Sequence, residues 1–145
     1  MKTSIYTAED ISATIINYAS KNNHNITNLQ LQKLLYFMQV EYIKETSKLL
    51  FPEEFQAWTY GPVQYDVWRY YRLYNRKTIS KVLIGTVISD NILDSILKDK
   101  IEMYFRQNVW KLVEQSHREA PWAEAIEKNE RYISNASIME FALGV

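Results

Sequence analysis

Three features of the sequence predict a mainly α-helical bundle of about six or seven helices, carrying at most a small β-hairpin. Apolar residues recur at helical spacing through most of the chain, the runs are preceded by residues that cap helices, and only three glycines and three prolines interrupt 145 residues. No low-complexity tract or internal repeat marks a linker, so residues 1–145 read as one domain, large enough to bury a core without disulfides.

Thr7 is placed to cap a first helix, with Glu9 and Asp10 in its first turn and Ile11, Ile15, Tyr18 and Ala19 on one face. That helix stops in "KNNHN". Thr27 followed by Gln30 has the capping-box pattern, and Leu31, Leu34, Leu35, Met38 and Tyr42 form an apolar stripe to about Glu45. After Pro52 the segment "EFQAWTY" alternates like a short strand and ends at Gly61. Pro62 suits the first position of a helix, which the spacing carries from Val63 to about Tyr74. The β-branched run Thr78–Ile88 predicts a second short strand or hairpin partner. Ser89 is a candidate cap for a helix whose face holds Leu93, Ile96, Leu97, Ile101 and Tyr104. A break at Asn108, a helix from Val109 to about His117, another begun by Pro121 and running through Asn129, and a last one capped by Ser134 complete the chain.

Composition excludes several function classes. Without cysteine there are no disulfides, thiolate nucleophiles or Cys-based metal sites, which fits a reducing cytoplasm. Lysine plus arginine and aspartate plus glutamate balance at 17 each, so no overall field draws the chain to nucleic acid or an anionic membrane. Glu9 and Asp10 interrupt any signal-peptide core, and no apolar run is long enough to span a bilayer.

Catalytic groups are sparse. The two histidines, His24 and His117, have no second ligand or partner nearby in sequence, so neither a metal nor a cofactor is expected. There is no nucleophile elbow, phosphate loop or dinucleotide fingerprint. "HREAP" has the start of a deaminase-like pattern but lacks the cysteines that complete its zinc site. A non-enzyme is expected. His117 reads either as a functional side chain or as a polar group tying its helix end to a backbone carbonyl, and the absence of a catalytic partner favours the second. Trp122, after Pro121, reads as a wedge that seals the core.

The densest signal is Phe55–Tyr74, where Trp58, Tyr60, Tyr65, Trp68, Tyr70, Tyr71 and Tyr74 crowd around the Gly61–Pro62 pair. One helix face can be core, but two cannot. Trp58 and Trp68 are assigned to packing, whereas Tyr60, Tyr65, Arg69, Tyr70, Arg72 and Tyr74 have the residue types of a protein interface. Stacking on single-stranded nucleic acid is the local competitor, disfavoured by the neutral charge and the absence of a second basic stripe.

The blocks "ITNLQLQKLLYFMQ" (Ile26–Gln39), "FQAWTYGPV" (Phe55–Val63) and "SHREAPW" (Ser116–Trp122), in this order, resemble the Panacea domain, a bacterial and phage module. The resemblance implies an antitoxin that neutralises a toxin encoded beside it by direct contact, with a cognate protein toxin as partner and no catalytic activity. Two alternatives stay open: an adaptor that delivers the toxin to a cytoplasmic protease, and a nucleic-acid-binding regulator. Under this resemblance Leu31, Leu34, Leu35, Trp58, Gly61, Pro62, Trp68, His117, Pro121 and Trp122 carry the structural motif.

Overall fold

The computed structural model describes residues 6–145. Its elements run α1 (Ala8–Lys21), α2 (Asn28–Thr46), β1 (Phe55–Trp58), β2 (Gly61–Val63), α3 (Tyr65–Tyr71), α4 (Asn91–Ile96), α5 (Glu102–Phe105), α6 (Val109–Arg118), α7 (Ala120–Glu127), β3 (Tyr132–Ile133) and α8 (Asn135–Leu143). A π-helical stretch, Leu97–Ile101, joins α4 to α5 into one rod, which makes seven helical units among the described residues. The architecture is mainly α with a small antiparallel sheet, as the spacing predicts.

Helix α2 is the axle. Thr27 Oγ1 accepts the amide N–H of Gln30 at 3.2 Å, and Ser47, in the left-handed region at φ 60°, ends the helix. The expected stripe at Leu31, Leu34, Leu35, Met38 and Tyr42 is buried. So are Gln32, Lys33, Tyr36, Phe37, Gln39 and Val40 on the other sides. A helix buried on all sides has neighbours all round; here α1, α6, α8, the α4–α5 rod and β2 pack against it. Its polar side chains must therefore bond inside the protein, and Gln39 does so by accepting from Leu50 N at 2.7 Å and donating to Phe51 O at 2.9 Å.

Helix α1 is capped by Thr7 as expected, but its buried surface extends beyond the Ile11–Ala19 stripe to Ser12, Ala13 and Thr14. The cause is the segment between α3 and α4. Rather than forming the strand expected over Thr78–Ile88, it runs as an irregular strap whose amides bond elsewhere: Ile79 N to Ile26 O, Leu83 N to Tyr71 Oη, Thr86 N to Asp10 Oδ1 and Ile88 N to Thr14 Oγ1. β-branched composition favours extended backbone, and these bonds keep it extended without a ladder. Gly85, at φ +80°, lies so close to the Glu9 backbone that no side chain fits there.

The sheet has the order β2–β1–β3, with both neighbours antiparallel to β1. The partner expected from Thr78–Ile88 is supplied instead by Gly61–Val63 and Tyr132–Ile133. Pro62 thus sits in β2 and does not open a helix. An edge strand tolerates the missing N–H, and Gln64 caps α3 by accepting from Val67 N at 3.1 Å. Asp90, rather than Ser89, caps α4, accepting from Ile92 N at 2.8 Å and Leu93 N at 3.1 Å. Ser134 caps α8 as expected, Asn108, read as a break, also caps α6, and Pro121 lies in the first turn of α7, which ends at Glu127 instead of Asn129. Among the described residues no helix is long and apolar enough to cross a membrane.

Candidate functional site

Two places share the β1–β2 hairpin: a buried polar seam beneath it and an aromatic groove beside it. In the seam the three sequence blocks meet. Gln32 Oε1 accepts from Gln64 N at 2.8 Å, while its Nε2 donates to Asn28 Oδ1 at 3.0 Å and Asn28 Nδ2 donates to Trp68 O at 3.1 Å. At the next position of α2, Lys33 is fully buried and its Nζ donates to Pro62 O. Burial pushes the Lys33 ammonium down to about 7.

Gly61 makes this approach possible. At φ +103°, a Cβ on it would stand 2.5 Å from Ser116 Oγ and 3.0 Å from Lys33 Nζ, so both steric space and backbone conformation require glycine. Ser116, fully buried on α6, donates to Val113 O at 2.8 Å. Next to it the His117 ring stacks on Trp122 with centroids 3.9 Å apart and planes 14° apart. Trp122 Nε1 donates to Trp58 O at 2.8 Å, which ties α7 to the hairpin. Burial holds His117 below the usual histidine range, the nearby Lys33 charge adds to this, and the Thr59 backbone opposes it; Nε2 is buried without a partner. At the far end of the seam Glu119 accepts from Tyr36 Oη at 2.8 Å and from Gln115 Nε2 at 3.1 Å. Burial raises its carboxyl above the ordinary glutamate range.

Lysine, serine and histidine standing together could be mistaken for catalytic machinery. Lys33 and Ser116 are both 0% exposed, however, and each has a backbone carbonyl as partner. Among the described residues no three His, Cys, Asp or Glu side chains are grouped to hold a metal ion. The other histidine, His24, lies 2.9 Å from Glu102 and stacks on Phe105, joining the end of α1 to α5.

The aromatic segment divides differently from its sequence pattern. Val67 and Tyr71 form the buried face of α3. Trp58 and Trp68, assigned to packing, are only half-buried and meet edge to face at 5.0 Å, with Tyr65 against both. Tyr70 is exposed beneath the Arg69 guanidinium, 5.1 Å above its ring, and Tyr74 turns back towards the core with its hydroxyl 3.1 Å from Ser80 Oγ. Tyr60 is exposed and meets Trp110 of α6 edge to face at 5.1 Å.

Trp58, Tyr60, Trp68 and Arg72 wall a cleft of about 640 Å³ with Leu29 and Val63 on its lining. A second hollow of about 390 Å³ continues it past Tyr60 and Asn75 to Arg76, Val109 and Trp110. Both hollows share Leu29, Tyr60 and Asn75, so together they form one groove. Tyr60 and Arg72 are common to the sequence reading and the groove. Leu29, Arg76 and Trp110 are additions, and Tyr65, Arg69, Tyr70 and Tyr74 lie off its lining. Trp110 was detectable: the core stripe of α6 is Leu112, Val113 and Ser116, and a tryptophan out of phase with that stripe points to a surface use.

Comparison with known proteins returns one family model, described as "Antitoxin SocA-like, Panacea domain", over residues 31–123. This stretch runs from α2 into α7 and contains every residue of the seam except Asn28. No curated protein matches the chain, and no solved structure does either.

Proposed function

The chain belongs to the Panacea-domain family of SocA-like antitoxins, and on that premise we propose that it neutralises a protein toxin encoded by the adjacent gene, through direct contact and without catalysis. Family membership over residues 31–123 is the observation that carries this reading. The two sites support it from opposite sides: the reactive-looking groups, Lys33 and Ser116, are sealed from any substrate, while the side chains offered to solvent beside the hairpin include tyrosine, tryptophan and arginine, the types that anchor protein interfaces.

Co-expression with the adjacent gene should restore growth that the neighbour alone arrests, and the two purified proteins should form a stable complex with no other component present. Rescue accompanied by loss of the toxin from the cell, without a stable complex in vitro, would favour delivery to a protease. Growth unaffected by the neighbour alone would remove the premise of a toxin.

A further inference from the structure

Resting on that reading, we infer that the groove between the hairpin, α3 and α6 is the docking site for one segment of the partner protein, a segment carrying a carboxylate between apolar or aromatic side chains.

The chemistry follows from what the groove leaves unspent. Its polar floor is committed internally: Asn28 and Gln32 bond each other, the Trp68 carbonyl and the Gln64 amide. Of the other polar side chains on the lining, Thr59 and Asn75 are exposed and stay available to an incoming chain. What remains is apolar surface from Leu29, Val63 and Val109, and the rings of Trp58, Tyr60, Trp68 and Trp110. Such surface gains free energy when it is covered, and these ring types anchor interfaces.

Charge selects among the apolar segments that could fill it. Among the described residues, Arg72 and Arg76 are the only charged side chains lining either hollow. Both are exposed, and among the described residues neither is engaged in an ion pair. In a chain of zero net charge, two unpaired guanidiniums at the rim of one apolar cleft form a local field that favours a carboxylate and repels lysine or arginine.

Geometry favours a protein segment over a nucleic acid. The ring pairs are locked edge to face, Trp58 on Trp68 at 67° and Tyr60 on Trp110 at 80°. That arrangement walls a cleft and does not present the run of open ring faces on which successive bases stack.

The test uses the full chain with the product of the adjacent gene. A photo-crosslinking amino acid replaces Tyr60, another replaces Met103 as a distant exposed control, and the crosslinked peptide is identified by mass spectrometry. Binding is measured in parallel for Arg72→Gln/Arg76→Gln and for Trp110→Ala, with melting temperatures to confirm folding. The expected result is a crosslink from position 60, and not from 103, to an acidic–apolar segment of the partner. Trp110→Ala should weaken binding by about thirtyfold, and wild-type affinity should fall between about 50 and about 300 mM salt with a slope that the double glutamine variant lacks.

A complex that forms with unchanged affinity in these folded variants, or whose position-60 crosslink lands on a basic segment, on a second copy of this chain or on nucleic acid, overturns the groove assignment and leaves the antitoxin reading standing. Absence of any complex overturns both.

Discussion

Beneath the hairpin, Gln32, Lys33 and Ser116 are withdrawn from water and spend their hydrogen bonds on Gln64 N, Pro62 O and Val113 O. Beside the same hairpin, Tyr60 and Trp110 stand half out of water with no core to fill. Residue type alone suggests the reverse, with polar groups at work on the surface and aromatic groups packed within. The difference teaches that the family's sequence blocks mark how the hairpin is held. What the held hairpin presents to solvent is the aromatic surface around Tyr60 and Trp110. A buried lysine is tolerable where a carbonyl is fixed to receive it, and an exposed tryptophan is informative because burial is its ordinary state.

The comparison breaks first if the seam side is not structural. Leu35 is fully buried on α2, and Leu35→Ala should cost about 2–5 kcal/mol in urea unfolding; an unchanged midpoint would put α2 at a surface. Gly61→Ala adds a Cβ against Ser116 and Lys33 at positive φ and should cost about 2–3 kcal/mol. A melting temperature equal to wild type would show that the hairpin does not rest on the seam.

Lys33 sharpens the comparison through pH. Its folded value of about 7 lies below the ordinary 10.5, so between those values the unfolded chain holds a proton that the native chain has released. Stability should therefore rise with pH from about 7 to about 10, by roughly 1 kcal/mol per unit. Above about 10 the trend should reverse, because Tyr6, Tyr18 and Tyr36 titrate higher when folded than when unfolded. Lys33→Met should flatten the rise whatever it does to absolute stability. Denaturant titrations of both proteins at several pH values measure it, and an equal slope in the variant would mean the ammonium is not sealed.

The smallest effects belong outside the core. Tyr65→Ala and Tyr70→Ala should each change unfolding free energy by less than about 0.5 kcal/mol for Tyr70 and about 1 kcal/mol for Tyr65, which touches both tryptophans. A multi-kcal loss at Tyr70 in thermal or urea unfolding would place that ring in the core after all.

Much of this was legible in sequence. The caps at Thr7, Thr27 and Ser134 act locally, so three or four residues suffice to read them, and the leucine stripe of α2 is periodic enough to announce a core face. Lys33 was invisible, since periodicity identifies which apolar residues are buried but not which polar residue they take in with them. The second strand was misplaced because β-branched composition marks extended backbone and does not name a hydrogen-bonding partner. The groove was half-read: Tyr60 and Arg72 lie near each other in sequence, whereas Leu29 and Trp110 join them only through the packing of α2 and α6.

The sheet order β2–β1–β3 also sets a timetable for synthesis. β1 meets β2 across a two-residue turn, but Phe55 must wait for Ile133, and α8, which covers α2, follows later still. Contacts so distant along the chain are slow to close and leave intermediates with uncovered apolar surface. A nascent protein therefore carries an unfinished flank on its central helix until β3 and α8 have emerged from the ribosome, and a message cut short before β3 yields a chain that has its hairpin but lacks the strand and helix that clamp it.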